Sequence, residues 1–190
     1  EAENESDENK YDRAIRIQAK IASLVTAFAR VRDGKEPVKP NSELSYAANF
    51  LYMLRGELPT EVEVEAFNKA LILHADHELN ASAFTARCAV SSLSDMYSGV
   101  VAAIGSLKGP LHGGANEAAM EMIENWTSPE EAEREMLGKL ERKEKIMGFG
   151  HAIYKDNDPR NGIIKIWSER LAQEVGDTVL YPVSVRCEEV

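Results

Sequence analysis

Residues 83–107, AFTARCAVSSLSDMYSGVVAAIGSL, decide the fold more than any other stretch of this sequence. Alanine, serine, glycine and valine dominate the segment, and it is nearly uncharged. Small side chains let neighbouring elements approach closely, and a helix without a charged face is typical of an interior position. We therefore predict that residues 83–107 form helix in the protein core and not on its surface.

Helix signals continue on the N-terminal side of this segment. Residues 11–32 carry apolar side chains at helical spacing and predict an amphipathic helix. Ser42 is a candidate N-cap for a second helix that stops at Gly56. Thr60 and Glu63 have the spacing of a capping box, which predicts the start of a third helix.

Similar signals follow on the C-terminal side. Helices are predicted from about 115 to 126, from 129 to 147 after a Ser-Pro-Glu-Glu capping box, and from 163 to 175. A loop rich in glycine, proline and aspartate occupies residues 148–162. Because no alternating strand pattern and no internal repeat is present, we predict an all-α fold.

Composition limits the classes of partner. The 190 residues are 44% apolar and 28% charged, as in ordinary globular domains, and the net charge is −10. This charge argues against nucleic-acid and membrane partners, and no apolar run reaches the ~20 residues that span a bilayer. The first residues are acidic, unlike a signal peptide. Cys88 and Cys187 form no disulfide framework and are most simply buried, so we predict a cytoplasmic protein.

One segment departs from the acidic average. Residues 139–165 contain seven basic residues and four acidic ones. An anionic ligand would be attracted to this part of the chain.

The sequence HADHE contains His74 and His77, which would lie on one helical face, with Asn80 a turn further, if the preceding helix continued. His77 is the candidate for function, whereas His74 could equally be satisfied by a backbone carbonyl. A zinc site using both histidines with Glu78 and His112 is a weaker alternative, because helical zinc pairs usually lie four residues apart.

His112 stands in the sequence GPLHGG, directly before a predicted helix. Glycines let a ligand approach the backbone, and the first amides of the helix at Ala115 are available to it. A neutral imidazole here could donate a hydrogen bond to a developing oxyanion. The alternative is a loop that only connects two helices tightly, which accounts for the glycines but not for the histidine.

The segment KIMGFGHAIYKDNDPR, residues 145–160, combines a Gly-x-Gly turn, His151 and Arg160. It lacks the third glycine and the preceding strand of a dinucleotide-binding fingerprint. Arg160 could hold a carboxylate through two parallel hydrogen bonds. The alternative for Arg160 is a surface salt bridge with Asp156 or Asp158.

Three sequence blocks, with the helical stretches between them, resemble the citrate synthase family: HADHELNAS at 74–82, SLKGPLHGGANE at 106–117, and the 145–160 segment. The resemblance implies a citrate-synthase-like helical homodimer with a large and a small domain. Residues 1–112 would belong to the large domain and 113–190 mostly to the small one. The helices near 91–107 would lie at the dimer interface.

The implied reaction condenses an acyl-CoA with oxaloacetate and then hydrolyses the thioester, without a metal or redox cofactor. In the family pattern His112 stabilises the enol of the acyl-CoA, and His151 polarises the ketone of oxaloacetate. His77 and Arg160 would hold its carboxylates, and Asn80 would bind the substrate or support a residue that does. Part of the CoA site would be formed by the loop residues Ile146, Met147, Gly148, Phe149 and Gly150.

The sequence departs from the family pattern in one respect. The family's catalytic base is an aspartate in a later motif of the type Asp-Phe-Tyr-Ser, and residues 161–190 contain no such motif. We therefore expect the 190 residues to be a central part of a longer enzyme and to be inactive alone.

Two questions stay open at this point. Acetyl-CoA and propionyl-CoA differ by one methylene, so citrate synthase and 2-methylcitrate synthase are both candidates; the form KGPLHGGAN favours the dimeric bacterial type. The alternative from another class is a noncatalytic helical fragment or an anion-binding module.

Overall fold

The computed structural model describes residues 7–150, 154 and 157–190, and within these residues it contains helices and no strand. The all-α prediction is confirmed. No helix in this part of the chain is long and apolar enough to cross a membrane. The helices are α1 (Asp7–Arg32), α2 (Tyr46–Arg55), α3 (Glu61–Leu73), α4 (Ala81–Ser91), α5 (Met96–Leu107), α6 (Gly114–Glu124), α7 (Pro129–Glu141), α8 (Asn161–Val175) and α9 (Leu180–Glu189).

The chain divides into two compact units, Glu1–Ala103 and Ile104–Val190. In the first unit α2 packs against both α1 and α3. Phe50 and Phe67 stack between α2 and α3 with ring centroids 4.8 Å apart. The buried residues described in this unit are small or slender: Ile17, Ala22, Thr26, Ala47, Ala48, Met53, Ala66 and Gly99.

The second helix begins three residues later than predicted. Ser45, and not Ser42, is the N-cap, and its side chain accepts the N–H of Ala48. Before it, the Asn41 side chain accepts the N–H of Glu43 at 3.0 Å, which forms a turn that precludes an earlier start. Gly56 ends the helix with φ 88°, as predicted.

The Thr60–Glu63 capping box is confirmed, and a cation reinforces it. Thr60 Oγ1 accepts the N–H of Glu63, while the Glu63 carboxylate accepts the N–H of Thr60 at 2.7 Å. Arg55 at the end of α2 donates to both carboxylate oxygens of Glu63. These hydrogen bonds from Arg55, followed by the cap, lower the pKa of Glu63 to about 2.

Glu63→Gln should therefore destabilise the protein in a pH-dependent way. Since the folded pKa lies below the ordinary value of 4.5, the stabilisation is present above that value and is lost as the pH falls toward 2. At pH 7 we expect a loss of about 1–2 kcal/mol in the free energy of unfolding, after allowing for solvent screening.

Urea denaturation at pH 7 and at pH 3 measures this effect. Glu65→Gln is the matched control, because the Glu65 carboxylate makes a 3.8 Å surface contact with Lys69, and the substitution should change stability by less than about 0.5 kcal/mol. An equal loss for Glu63→Gln at both pH values would contradict the role of the ionised carboxylate.

The prediction that residues 83–107 are interior is wrong for this chain. The segment forms α4 and α5, separated by a turn in which Asp95 accepts the N–H of Ser98 at 3.0 Å. No residue of α4 is buried, and Gly99 is the only buried residue of α5. Composition shows that a helix can pack closely against something, but not that its neighbour lies in the same chain.

The second unit has a core that is centred on α9. Trp126, Ala132, Met136, Val183 and Cys187 form one buried cluster. The last helix packs against α7 and also contacts α6 and α8. Burial raises the pKa of the Cys187 thiol, whereas Cys88 is exposed, so the prediction of two buried cysteines holds only for Cys187.

Sequence patterns had not predicted α9, which carries a proline in its first turn. Asp177 accepts the N–H groups of Val179, Leu180 and Tyr181 at 2.8–3.0 Å and thereby starts the helix. Glu188 near its other end accepts hydrogen bonds from Asn161 and Lys165 of α8, both at 2.6 Å. The start of α8, where a candidate site residue lies, is thus tied to the core.

Candidate active site

The two histidines of HADHE do not lie on a helix, because α3 ends at Leu73 and His74 is its C-cap. His74 Nδ1 lies 2.7 Å from the carbonyl oxygen of Ala70. A carbonyl only accepts, so Nδ1 carries the proton. The alternative predicted for His74, a histidine satisfied by a backbone carbonyl, is confirmed, although its side chain is exposed and not in the core.

His77 lies in the short loop between α3 and α4 and is half-buried. Asp76 accepts the N–H of Glu78 at 2.9 Å, and Glu78 has φ 52°, an unusual conformation for a non-glycine residue. Asn80 is the N-cap of α4, and its Oδ1 accepts the N–H of Ala83 at 2.9 Å. His77 and Asn80 are therefore placed by a turn that is closed at both ends, and not by a shared helical face.

His112 occupies a tight turn directly before α6. Its N–H donates to Gly109 O at 3.0 Å, and its carbonyl accepts the N–H of Ala115. A Cβ on Gly114 would lie 2.6 Å from Lys108 O and 2.9 Å from Gly109 O. Gly114 is thus required for close packing of the turn. The turn presents the half-buried imidazole of His112 at the N-terminus of α6.

The loop predicted to contact CoA begins earlier than expected, because α7 ends at Glu141 and not near Met147. Lys143 has φ 55°, which is incompatible with continuing the helix. Ile146 packs against the Trp126 cluster and anchors the loop. Phe149 is exposed, so the loop offers an aromatic side chain to solvent.

Gly148 and Gly150 both have positive φ, at 93° and 80°. A Cβ on Gly148 would lie 3.1 Å from the Cβ of Ala119 in α6. The helix that begins just after His112 therefore also supports the 146–150 loop. In the second unit, His112 and the 146–150 loop are therefore both placed next to α6.

Gly148→Ala should destabilise the protein more than Gly150→Ala. Both substitutions force a side chain into positive φ, at a cost of about 1 kcal/mol. Only Gly148→Ala also meets Ala119, whereas a Cβ on Gly150 has no atom within 4 Å. We expect Gly148→Ala to cost about 1 kcal/mol more than Gly150→Ala in urea denaturation, and a double-mutant cycle with Ala119→Gly to show a coupling of about that size once the cost of glycine in α6 is subtracted. Equal costs for the two variants would show that the loop is not seated on α6.

Arg160 immediately precedes α8 and is paired with Asp158. Its Nε and Nη2 donate to the two carboxylate oxygens at 3.0 and 2.6 Å. Its Cζ also lies 5.8 Å from the centroid of the Tyr154 ring. The hydrogen bond to Asp158 raises the pKa of Arg160. The salt bridge that the sequence offered as an alternative is present, with Asp158 as partner.

His151 lies outside the described residues, as does Asp156, the other predicted partner of Arg160. His77 and Asn80 belong to the first unit; His112, the 146–150 loop and Arg160 belong to the second. Within the described part of the chain no three histidine, cysteine, aspartate or glutamate side chains could hold a metal ion together. Sequence reasoning did not single out Tyr154, and it named Asp158 only as one of two possible salt-bridge partners of Arg160.

Known proteins resemble the chain over its whole length. The profile of the citrate synthase C-terminal domain matches residues 1–190. The chain belongs to the citrate synthase family. It is 56% identical over 190 residues to citrate synthase 2 of Bacillus subtilis, covering 100% of this chain and 51% of that protein.

Other family members extend the comparison. The chain is 52% identical over 176 residues to the 2-methylcitrate synthase of Shewanella oneidensis, covering 92% of this chain and 47% of that one. Among solved structures it matches the citrate synthase of Thermoplasma acidophilum, a ternary complex with carboxymethyl coenzyme A and oxaloacetate. That match has a TM-score of 0.91 and 35% identity, and it covers 97% of this chain and 49% of the other. The chain thus has the family's helical fold and spans about half the length of the curated relatives it matches.

Proposed function

We propose that this chain carries part of an active site that condenses an acyl-CoA with oxaloacetate and hydrolyses the resulting thioester to a tricarboxylate and free CoA. The observation that carries the proposal is the 56% identity, over all 190 residues, to a protein named citrate synthase 2. The candidate site residues occur in the blocks that resemble the family, and the described ones lie in capped or glycine-dependent turns.

His112 is proposed to act on the acyl-CoA. The carbon next to a thioester carbonyl is weakly acidic, so its deprotonation requires stabilisation of the enolate oxygen. A half-buried imidazole at the start of α6 can donate a hydrogen bond to that oxygen. The neighbouring 146–150 loop, with exposed Lys143 and Lys145 before it, would receive the CoA.

Arg160, His77 and His151 are proposed to act on oxaloacetate. A guanidinium can bind a carboxylate through two parallel hydrogen bonds, and His77 would hold the second carboxylate. His151 would donate to the ketone oxygen and make its carbon electrophilic. The proposed chemistry needs neither a metal nor a redox cofactor, and cytoplasmic location remains a prediction from cysteine usage.

Release of CoA thiol tests the reaction. The family's catalytic aspartate motif is absent from residues 161–190, so we expect no release from these 190 residues alone. We expect release from a chimera in which they replace the matching 51% of the Bacillus subtilis citrate synthase 2. A folded chimera that is inactive with both acetyl-CoA and propionyl-CoA would overturn the proposal. The preferred acyl-CoA would decide the substrate, since one methylene changes kcat/KM by about 10–200-fold.

Oxaloacetate should raise the melting temperature of the 190-residue chain, because a ligand that binds only the folded state stabilises it. Arg160→Ala and His77→Ala should each abolish most of this shift. Arg170→Ala is the matched control, since it removes an arginine of α8 that stacks on Trp167 at 4.7 Å and should leave the shift intact.

Two other outcomes identify the alternatives. A chain stabilised by zinc and not by oxaloacetate would support the metal-site alternative. A chain that responds to neither ligand would be a noncatalytic helical scaffold.

We further propose that α5 forms part of a homodimer interface. Tyr97, Val101 and Ile104 lie on one face of this helix and are all more than half exposed. A second copy would bury this apolar face, as the family resemblance implies. Val101→Glu should convert the dimer to monomer in light scattering, whereas Val175→Glu, at an equally exposed valine, should not. An unchanged dimer in Val101→Glu would place the interface elsewhere.

A further inference from the structure

The carboxylate of Asp158 accepts a backbone hydrogen bond in addition to those from the Arg160 side chain. Its Oδ1 accepts the backbone N–H of Arg160 at 2.9 Å. The carbonyl of Asp158 accepts the N–H of Asn161 at 3.0 Å, at the first residue of α8. Asn161 is in turn bonded to Glu188 of α9. These hydrogen bonds fix the position of Asp158 relative to the start of α8, although its side chain is 31% exposed.

Asp158 occupies one edge of the Arg160 guanidinium. A guanidinium has five N–H donors, and the Asp158 oxygens accept from Nε and Nη2. The remaining donors are both N–H groups of Nη1 and one of Nη2, which together form a second edge that matches a carboxylate. The Tyr154 ring lies on one side of the guanidinium.

Fixing this side chain has a thermodynamic consequence. A flexible arginine side chain loses rotamer entropy when it binds a ligand. An arginine already oriented by Asp158 loses less. Asp158 also offsets the positive charge of Arg160, but it does so from the Nε edge, and among the described residues no side chain accepts from the second edge.

We propose that Asp158 is a positioning residue, which orients Arg160 so that its Nη1–Nη2 edge receives a carboxylate of oxaloacetate. The inference rests on the proposed function and deepens it by assigning a role to a residue that does not touch substrate. An acid that merely competed with substrate for Arg160 would have the opposite effect on affinity.

The test is the oxaloacetate affinity of Asp158 variants, measured by calorimetry on the 190-residue chain. Asp158→Ala should weaken binding by about 10-fold. Asp158→Asn should have an intermediate effect. The asparagine Oδ1 still accepts the backbone N–H, but its NH2 group is a donor and cannot accept a hydrogen bond from Nη2. In the active chimera the KM for oxaloacetate should rise, with little change in kcat and in the KM for acyl-CoA.

Glu133→Ala is the matched control, because it removes an acid of the same unit whose arginine partner is Arg186 of α9, at 2.8 Å, and not Arg160. It should lower stability without changing oxaloacetate affinity, which separates a general loss of structure from a loss of Arg160 orientation. Asp158→Asn covers the case in which Asp158→Ala does not fold.

The outcomes distinguish the two proposals. If Arg160→Ala loses binding while Asp158→Asn binds as tightly as the unmodified chain, or more tightly, Asp158 is idle or a competitor and the inference is overturned. If neither the unmodified chain nor the folded chimera binds oxaloacetate, the proposed function fails and the inference fails with it.

Discussion

Replacing His112 by alanine is expected to lower kcat of the chimera by about 10²–10³-fold, the cost of removing one donor to a developing oxyanion. The backbone of His112 is held in a turn by hydrogen bonds to Gly109 and Ala115. Oxaloacetate binding should change little, because His112 is assigned to the acyl-CoA.

His74→Ala is the matched control for this prediction. It removes the same side chain from a position where Nδ1 is bonded to the Ala70 carbonyl. Steady-state CoA release should be nearly unchanged by it. A decrease of less than tenfold for His112→Ala, or equal losses for the two variants, would remove His112 from the proposed mechanism.

Gly114→Ala is expected to lower the free energy of unfolding by about 3 kcal/mol, at the upper end of ordinary overpacking effects. Its Cβ would meet the carbonyl oxygens of Lys108 and Gly109 at 2.6 and 2.9 Å, and both belong to the backbone. A flexible side chain could move away at little cost, but these carbonyls cannot move without opening the His112 turn. The chimera should lose activity along with stability.

Gly162→Ala in α8 is the control for Gly114→Ala, because its Cβ would have no atom within 4 Å. Alanine is favoured over glycine in a helix by up to about 1 kcal/mol, so this variant should be as stable as the parent or slightly more so. Urea denaturation measures both variants. Similar midpoints for the two would show that the turn before α6 is looser than the structure indicates.

Helix starts could be predicted best where the partners lie within a few residues of each other. Thr60 and Glu63 cap α3 as expected, and Ser128 accepts the N–H of Glu131 at the start of α7. The start of α9 was missed although Asp177 caps it, because the proline in its first turn resembles a break. Its burial depends on Trp126 and Met136, which are distant in sequence and carry no local signal.

Candidate site residues could be selected from sequence, but their surroundings could not. The motif spacing left His74 and His77 open, and the structure showed that the first is satisfied by Ala70. It also left two acids open as partners of Arg160, and the structure shows the pair with Asp158. Side-chain direction depends on where each turn closes, and spacing does not specify this.

By itself the sequence determined the helical class, the caps that rest on near neighbours, and the family to which its three blocks point. Only the tertiary structure decided that α9 is central to its unit, that Gly148 approaches Ala119, and that α4 and α5 are not buried within this chain. The physical reason is that caps and periodicity are local interactions, whereas burial depends on which distant surfaces meet. An apolar helix has the same composition whether its neighbour is its own chain or another.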